Sequence, residues 1–252
     1  MEGERMIDIH SHLIFGVDDG SNCLEESVRM IEKAKMQNIN TIIATPHFQK
    51  GIFNGDGVED KFRILAERAA EYSMDIRLGK EMFADEWVIN IINHQRYSTT
   101  GGLPYIPYIL VELPYNASFS YVASFISRVT KVNIDIIIAH PERNRRIMKN
   151  FNEFISLVRA TNCRIQVDAG SIAGVYGVFV KEIARQMLKM KAVDFVASNA
   201  HTPDDYTSIF SAAAQKIYRL CGEEYAIRLL ELNAREIINL TGRVNHYGRE
   251  IS

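Results

Sequence analysis

The feature that most constrains this chain is an alternation of short apolar runs, rich in β-branched residues, with longer stretches of helical periodicity. The runs are Met6–Ile9, Thr41–Ala44, Ile76–Leu78, Ile109–Val111, Ile134–Ala139, Arg164–Val167 and Val193–Ala197. They recur roughly every thirty residues, the length of one strand-plus-helix unit. Between most of them, Leu24–Gln37, Val58–Tyr72, Ser118–Lys131, Phe151–Ala160, Val178–Lys189 and Ser208–Leu220 carry apolar residues at helical spacing. The last part, Glu223–Leu240, reads as a closing helical region. Strands separated by helices pair in parallel through right-handed crossovers. Seven such units in 252 residues predict a closed or nearly closed α/β barrel rather than an open sheet. No linker-like or low-complexity stretch interrupts residues 1–252, so a single domain is expected.

The residues at the end of each run point to chemistry. The first run ends in His10 and His12, the second in Thr45-Pro46-His47, the third in Gly79-Lys80-Glu81 and the fourth in Glu112. The fifth ends in His140-Pro141-Glu142-Arg143, the sixth in Asp168, and the seventh in Ser198-Asn199-Ala200-His201. In extended backbone alternate side chains share a face, so His10 and His12 are able to meet one ion. Barrel active sites lie at the C-terminal ends of the strands, and every predicted strand delivers a metal-type side chain there. Polar residues where buried strands emerge into solvent account for one or two such cases. They do not account for five of seven histidines, with only His94 and His246 elsewhere. A His, Glu and Asp donor set without cysteine suits Mn, Fe, Zn or Mg, and several carboxylates imply more than one ion.

Composition removes other classes. A formal net charge of -2 gives no general attraction to nucleic acid or to an anionic membrane. No apolar stretch reaches transmembrane length. Cys23, Cys163 and Cys221 are odd in number and far apart, which suits reduced thiols and a cytoplasmic location. Cys23 and Arg29 match a Cys-x5-Arg pattern, but the intervening Leu-Glu-Glu-Ser-Val is acidic and helical. It lacks the glycines that cradle a phosphate, so the match is read as coincidence, with Ser21 or Asn22 as the helix N-cap.

The segments Met6-Ile-Asp-Ile-His-Ser-His12, Gly16-Val-Asp-Asp-Gly20, Ile43-Ala-Thr-Pro-His47, Leu110-Val-Glu-Leu-Pro114, Ile138-Ala-His-Pro-Glu-Arg-Asn144 and Gln166-Val-Asp-Ala-Gly-Ser171 resemble the PHP (polymerase and histidinol phosphatase) superfamily. Within it they are most similar to the bacterial manganese-dependent protein-tyrosine phosphatases of capsule and exopolysaccharide loci. The resemblance implies a distorted TIM-like (β/α)7 barrel and a trinuclear metal site. His10 and His12 would bind the first ion, and Glu81 would bridge it to a second that takes Glu112 and His140. Asp19, with Asp18 as its alternative, would bind the third ion together with His47 and His201. Arg143 would grip phosphate, with Arg145 and Arg146 on a solvated face. His47 or Asp19 would be available to protonate the leaving group.

Two departures from the family pattern stand close together. Asn199 replaces a metal-binding aspartate, leaving a carbonyl that is able to coordinate without charge, while Asp168 is a candidate to restore a carboxylate. Tyr206 stands where the family often carries an arginine. The expected reaction is hydrolysis of a phosphate monoester by metal-bound hydroxide, with Arg143 donating two parallel bonds to phosphate oxygens. Phe15, Phe48 and Tyr115 are candidate surfaces for a tyrosine ring. The resemblance implies Mn2+, two or three ions, and a phosphotyrosine protein substrate, the tail of a tyrosine kinase that controls polysaccharide assembly, with a homo-oligomer as an expected assembly. The alternatives are a small-molecule phosphatase such as one acting on histidinol phosphate, and a phosphoprotein-binding regulatory module with a weakened metal site.

Overall fold

Residues 6–93, 108–130, 135–161 and 163–242 are described by a computed structural model. His94, His246, Lys131 and Ile134 fall outside them. The first apolar run forms β1 (Met6–Ser11), followed by α1 (Leu24–Met36), which buries Val28, Met30, Ile31 and Ala34 on one face. Its N-cap is Cys23 rather than Ser21 or Asn22, and Glu26 reaches back to accept the backbone N–H of Asn22 at 2.8 Å. Cys23 and Arg29 are both exposed, which bears out the reading of Cys-x5-Arg as coincidence.

The second and third runs are each broken in two. β2 (Ile39–Ala44) is followed by β3 (His47–Phe48), and after α2 (Val58–Glu71), β4 (Asp75–Leu78) is followed by β5 (Glu81–Phe83). Pro46 lacks an N–H, and Gly79 takes the matching kink on the neighbouring strand. A methyl group on Gly79 would stand 3.0 Å from Ile43 Cγ2 and 3.1 Å from Thr45 Cγ2. The chains stay joined across the break, because Gly79 N–H donates to Ala44 O at 2.7 Å and Glu81 N–H to Pro46 O at 3.1 Å.

A short helix, α3 (Glu86–Asn93), comes next. After it come β6 (Tyr108–Glu112), α4 (Phe119–Val129), β7 (Asp135–Ala139), the 3₁₀ turn Pro141–Arg143, α5 (Arg145–Met148), α6 (Phe151–Arg159) and β8 (Cys163–Asp168). The chain continues through α7 (Ala169–Ala173), α8 (Gly177–Lys189), β9 (Phe195–Ala197), a second 3₁₀ turn (Pro203–Tyr206) and α9 (Ile209–Cys221). It closes with α10 (Glu223–Ile227), a π-helical turn (Arg228–Leu232) and α11 (Asn233–Gly242), in agreement with the expected helical end. The last strand starts at Phe195 instead of Val193, whose N–H and C=O are both taken by the Tyr225 hydroxyl.

All pairings between named strands are parallel, in the orders β1-β2-β4 and β3-β5-β6-β7-β8-β9. The outer edges also meet. Asn199 N–H donates to His10 O at 2.9 Å, His12 N–H donates to Ala200 O at 2.8 Å, and Ser11 bridges Ala200 in parallel. The seam is held by the buried Asp8 carboxylate. It accepts from Ser198 N–H at 2.9 Å, from Ser198 Oγ at 2.5 Å and from Tyr206 Oη at 2.6 Å.

The two strand faces supply two cores. Ile109, Val111, Ile136, Ile138, Ile165, Val167 and Val196 pack with the helices. Ile7, Ile9, Tyr108, Leu110, Ile137, Ala139, Phe195 and Ala197 pack together on the other face, where Ala234 and Ile237 of α11 join them. Among the described residues no helix is long and apolar enough to cross a membrane.

Candidate metal centre

The site begins with a bulge. The β1–β2 register is Asp8 to Ile42 but Ser11 to Ala44, so β1 carries one extra residue across this interval. A bulge re-aims the side chains beyond it. His10 and His12 consequently share a buried space, with Nε2 atoms 3.2 Å apart and His10 Nδ1 lying 3.0 Å from Gln166 Oε1. His12 Nδ1 lies 2.7 Å from Asp18 Oδ2, which also accepts the backbone N–H of His47 at 2.9 Å. Asp18 thus orients two histidines, as a carboxylate behind a ligating imidazole does.

Glu81 stands at the hub. The kink at Gly79 brings it to the start of β5, fully buried, with His10 Nε2, His12 Nε2 and His47 Nδ1 at 3.2, 3.3 and 3.0 Å from Oε2. His140 Nε2 lies 3.0 Å from Oε1. Burial by itself raises this carboxyl, but the surrounding imidazoles, His10 foremost, hold it well below the usual range. Burial likewise opposes charge on His12, and Asp18 and Glu81 overcome it, lifting the imidazole to about 10.

A second group faces solvent. Asp19 Oδ1 lies 3.3 Å from His47 Nε2 and 3.4 Å from His201 Nε2, with the Asp19 side chain 62% exposed. Burial and the neighbouring His12 push His201 down to about 4, so it is neutral and available as a ligand near pH 7. Its turn is fixed by Asp205, whose Oδ2 accepts the N–H groups of His201 and Thr202 at 3.0 and 2.8 Å.

Three overlapping sets of donor atoms lie within 4.8 Å of one another: His12, Asp19, His47 and His201; His10, His12 and Glu81; His47, Glu81 and Glu112. Of the nine residues expected around metal, seven appear in these sets. His140 joins through Glu81, and Asn199 lies alongside in the left-handed region at φ 52°, donating Nδ2 to Asp168 Oδ2 at 3.2 Å. The grouping differs from the expected one in that Glu112 lies with His47 rather than with His140. The set fits divalent ions on the structure's own terms. It is nitrogen and oxygen without thiolate, and Asn199 Oδ1 is a buried acceptor lacking a hydrogen-bond donor.

Beside this cluster lies a pocket of about 230 Å³ lined by Glu112, Leu113, Tyr115, His140, Arg143 and Tyr176, among others. Arg143 donates Nη1 to Asp168 Oδ2 at 3.1 Å, and its guanidinium carbon sits 4.4 Å from the centre of the Tyr176 ring. Asp168 does not reach the donor sets. Its oxygens are taken by Gln166, Arg143 and Asn199, so it braces the site instead of replacing the aspartate absent at Asn199. Arg145 lines the pocket as well, whereas Arg146 donates to Asn116 O at 3.1 Å.

The model of the capsular polysaccharide synthesis family CpsB/CapC matches residues 6–239, which carry this whole cluster. The chain belongs to the CpsB/CapC family. Among curated members, the tyrosine-protein phosphatase CpsB of Streptococcus agalactiae serotype V is 30% identical over 253 residues, covering 96% of this chain and all of that protein. The tyrosine-protein phosphatase YwqE of Bacillus subtilis is 29% identical over 208 residues, covering 78% of this chain and 77% of its own length. A solved structure from the pair YwqE of Bacillus subtilis and CpsB of Streptococcus pneumoniae, metal-dependent tyrosine phosphatases, matches with a TM-score of 0.78. It is 25% identical and covers 98% of this chain and 96% of that one. Histidinol phosphate phosphatase from Lactococcus lactis shares the fold at a TM-score of 0.56 and 12% identity, over 94% of each chain.

In this CpsB/CapC member, Tyr206 is no pocket residue: it is buried against Asp8. Of the aromatic candidates Tyr115 lines the pocket beside Arg143, and Phe48 lines a smaller one with His47, Glu81 and Glu112, its ring tilted against Trp87 with centres 5.2 Å apart; Phe15 lies under Lys61. Gln166, Glu142 and Tyr176 were not singled out from sequence. Glu142 Oε1 accepts Asp168 N–H at 3.0 Å and Ser171 Oγ–H at 2.6 Å, tying the His140 turn to β8. Gln166 was legible in principle, two residues before Asp168 on the same strand face.

Proposed function

We propose that this chain is a metal-dependent protein-tyrosine phosphatase. The observation that carries the reading is a buried Glu81 carboxylate within 3.3 Å of four imidazoles, beside a pocket that holds Arg143. The metal-dependent tyrosine phosphatases among its relatives support it. The residues that would hold the ions are His10 and His12 with the Asn199 carbonyl, Glu81, Glu112 and His140, and Asp19, His47 and His201. The resident ion is Mn2+, with Fe, Zn and Mg as the competing choices. Divalent ions bound there lower the pKa of water toward neutrality and neutralise charge on phosphoryl oxygens.

The chain's own residues do the rest. Arg143 grips the phosphate with parallel N–H groups while Asp168 anchors its other side. Leu113, Tyr115, Tyr176 and Val180 wall the pocket. Tyr115, 71% exposed, suits a peptide at the pocket mouth better than a small metabolite such as histidinol phosphate. His47 or Asp19, 3.3 Å apart on the solvent side of the cluster, delivers the proton to the departing tyrosine oxygen. The strand edges joined at Ser11 and Ala200 support a closed, distorted (β/α)7 barrel of PHP type in one domain spanning 1–252. The enzyme is cytoplasmic, its substrate is the phosphorylated tail of a tyrosine kinase of capsule or exopolysaccharide assembly, and a homo-oligomer is one possible assembly.

The test compares phosphate release from a phosphotyrosine peptide and from histidinol phosphate, with chelated and manganese-reconstituted protein. Turnover of the peptide should need metal and fall roughly 10²-fold in Arg143→Ala. Metal-independent turnover, or turnover surviving His140→Ala, overturns the reading. The amide at Asn199 favours one other reading, a phosphoprotein-binding module. It prevails if the wild type is inactive and Asn199→Asp is active.

A further inference from the structure

Arg143 is held from two directions, and only one of them is polar. Asp168 fixes one terminal nitrogen at 3.1 Å, while the guanidinium carbon lies over the Tyr176 ring, 4.4 Å from its centre. A hydrogen bond to one nitrogen leaves the plane of the fork free to turn, whereas a ring beneath the plane sets its tilt. The ring itself is seated by backbone. A methyl group on Gly170 would stand 2.9 Å from Tyr176 Cε2, so the ring uses space that only glycine leaves. Gly174 and Gly177, at φ 100° and 89°, turn the chain on either side of it, and Val175 N–H donates to Gly170 O at 2.8 Å.

We propose that Tyr176 is the positioning residue for Arg143, and that its ring face, not its hydroxyl, presents the guanidinium fork to the phosphate of the substrate. The proposal rests on Arg143 as the phosphate grip. It does not depend on which ion is bound or how the proton moves.

The experiment uses the full chain. Tyr176→Phe keeps the ring and should leave KM and kcat for p-nitrophenyl phosphate within twofold of wild type. Tyr176→Leu keeps apolar bulk without a π face. It should raise KM, and the inhibition constant of inorganic phosphate, about fivefold to tenfold, with a smaller change in kcat. Gly170→Ala, which pushes the ring without removing it, should move both constants the same way. A second readout needs no turnover. In NMR of the metal-free protein the Arg143 Nε–H and Hδ protons should be shifted upfield by the ring current in wild type and Tyr176→Phe, and lie at ordinary positions in Tyr176→Leu. Unchanged constants in Tyr176→Leu, a rise matched by Tyr176→Phe, or absence of the upfield shift in wild type each overturns the proposal. If no aryl phosphate is hydrolysed with any divalent metal, the phosphatase reading fails, while the ring-current shift still decides whether Tyr176 holds Arg143.

Discussion

At the scale of single residues, the metal site is a set of charges balanced by protons until ions replace them. Burial lowers His12 and His140, but carboxylates overcome it, raising them from the ordinary 6.5 to about 10 and about 9. A raised imidazole stabilises the fold fully below its unfolded value and loses that contribution as pH climbs through the folded one. Glu81 and His201, both lowered, lose theirs as pH falls. The melting temperature of the metal-free protein should therefore fall as pH rises from about 6.5 toward 9 to 10. Ions compete with the same protons, so manganese should raise the melting temperature more at about pH 8 than at about pH 6. Calorimetry with and without chelator checks both slopes, and a flat metal-free profile contradicts them. The ligand residues were legible from sequence because the chemistry demands those side chains at strand ends. Tyr176 and Glu142 were not, because their work lies in touching other residues, and contact has no spacing in a sequence.

At the scale of elements, the seven apolar runs told where strands would form, and the breaks at Pro46 and Gly79 decided how two of them end. Helix α3 was missed for a physical reason. Val88, Ile89, Ile91 and Ile92 are β-branched and crowded into eight residues, where a helix and a buried strand carry the same pattern. Tyr206 shows the converse. Standing where the family often carries an arginine, it donates to the buried Asp8 and helps tie β1 to β9. Tyr206→Phe should cost about 1–3 kcal/mol of stability, the range for a buried hydrogen bond whose acceptor is left behind. Its turnover at a temperature well below melting should match wild type. A loss of turnover with no loss of stability would put Tyr206 in the site.

At the scale of the whole molecule, the donor cluster and the α11 contacts occupy different parts of the strands. The donor groups gather near the C-terminal ends of β1 and β6 and at the starts of β3 and β5, whereas Ala234 and Ile237 of α11 pack with Ile7, Tyr108 and Phe195. Ile237→Ala should cost about 2–5 kcal/mol, read by denaturant unfolding, without changing KM for an aryl phosphate. A changed KM would mean that the two regions communicate. If they do not, endurance and speed can be tuned as separate dials. A lineage can thicken the packing around α11 for a hotter habitat, or loosen it for a colder one, without renegotiating a single ligand, and losses inflicted in both regions should simply add.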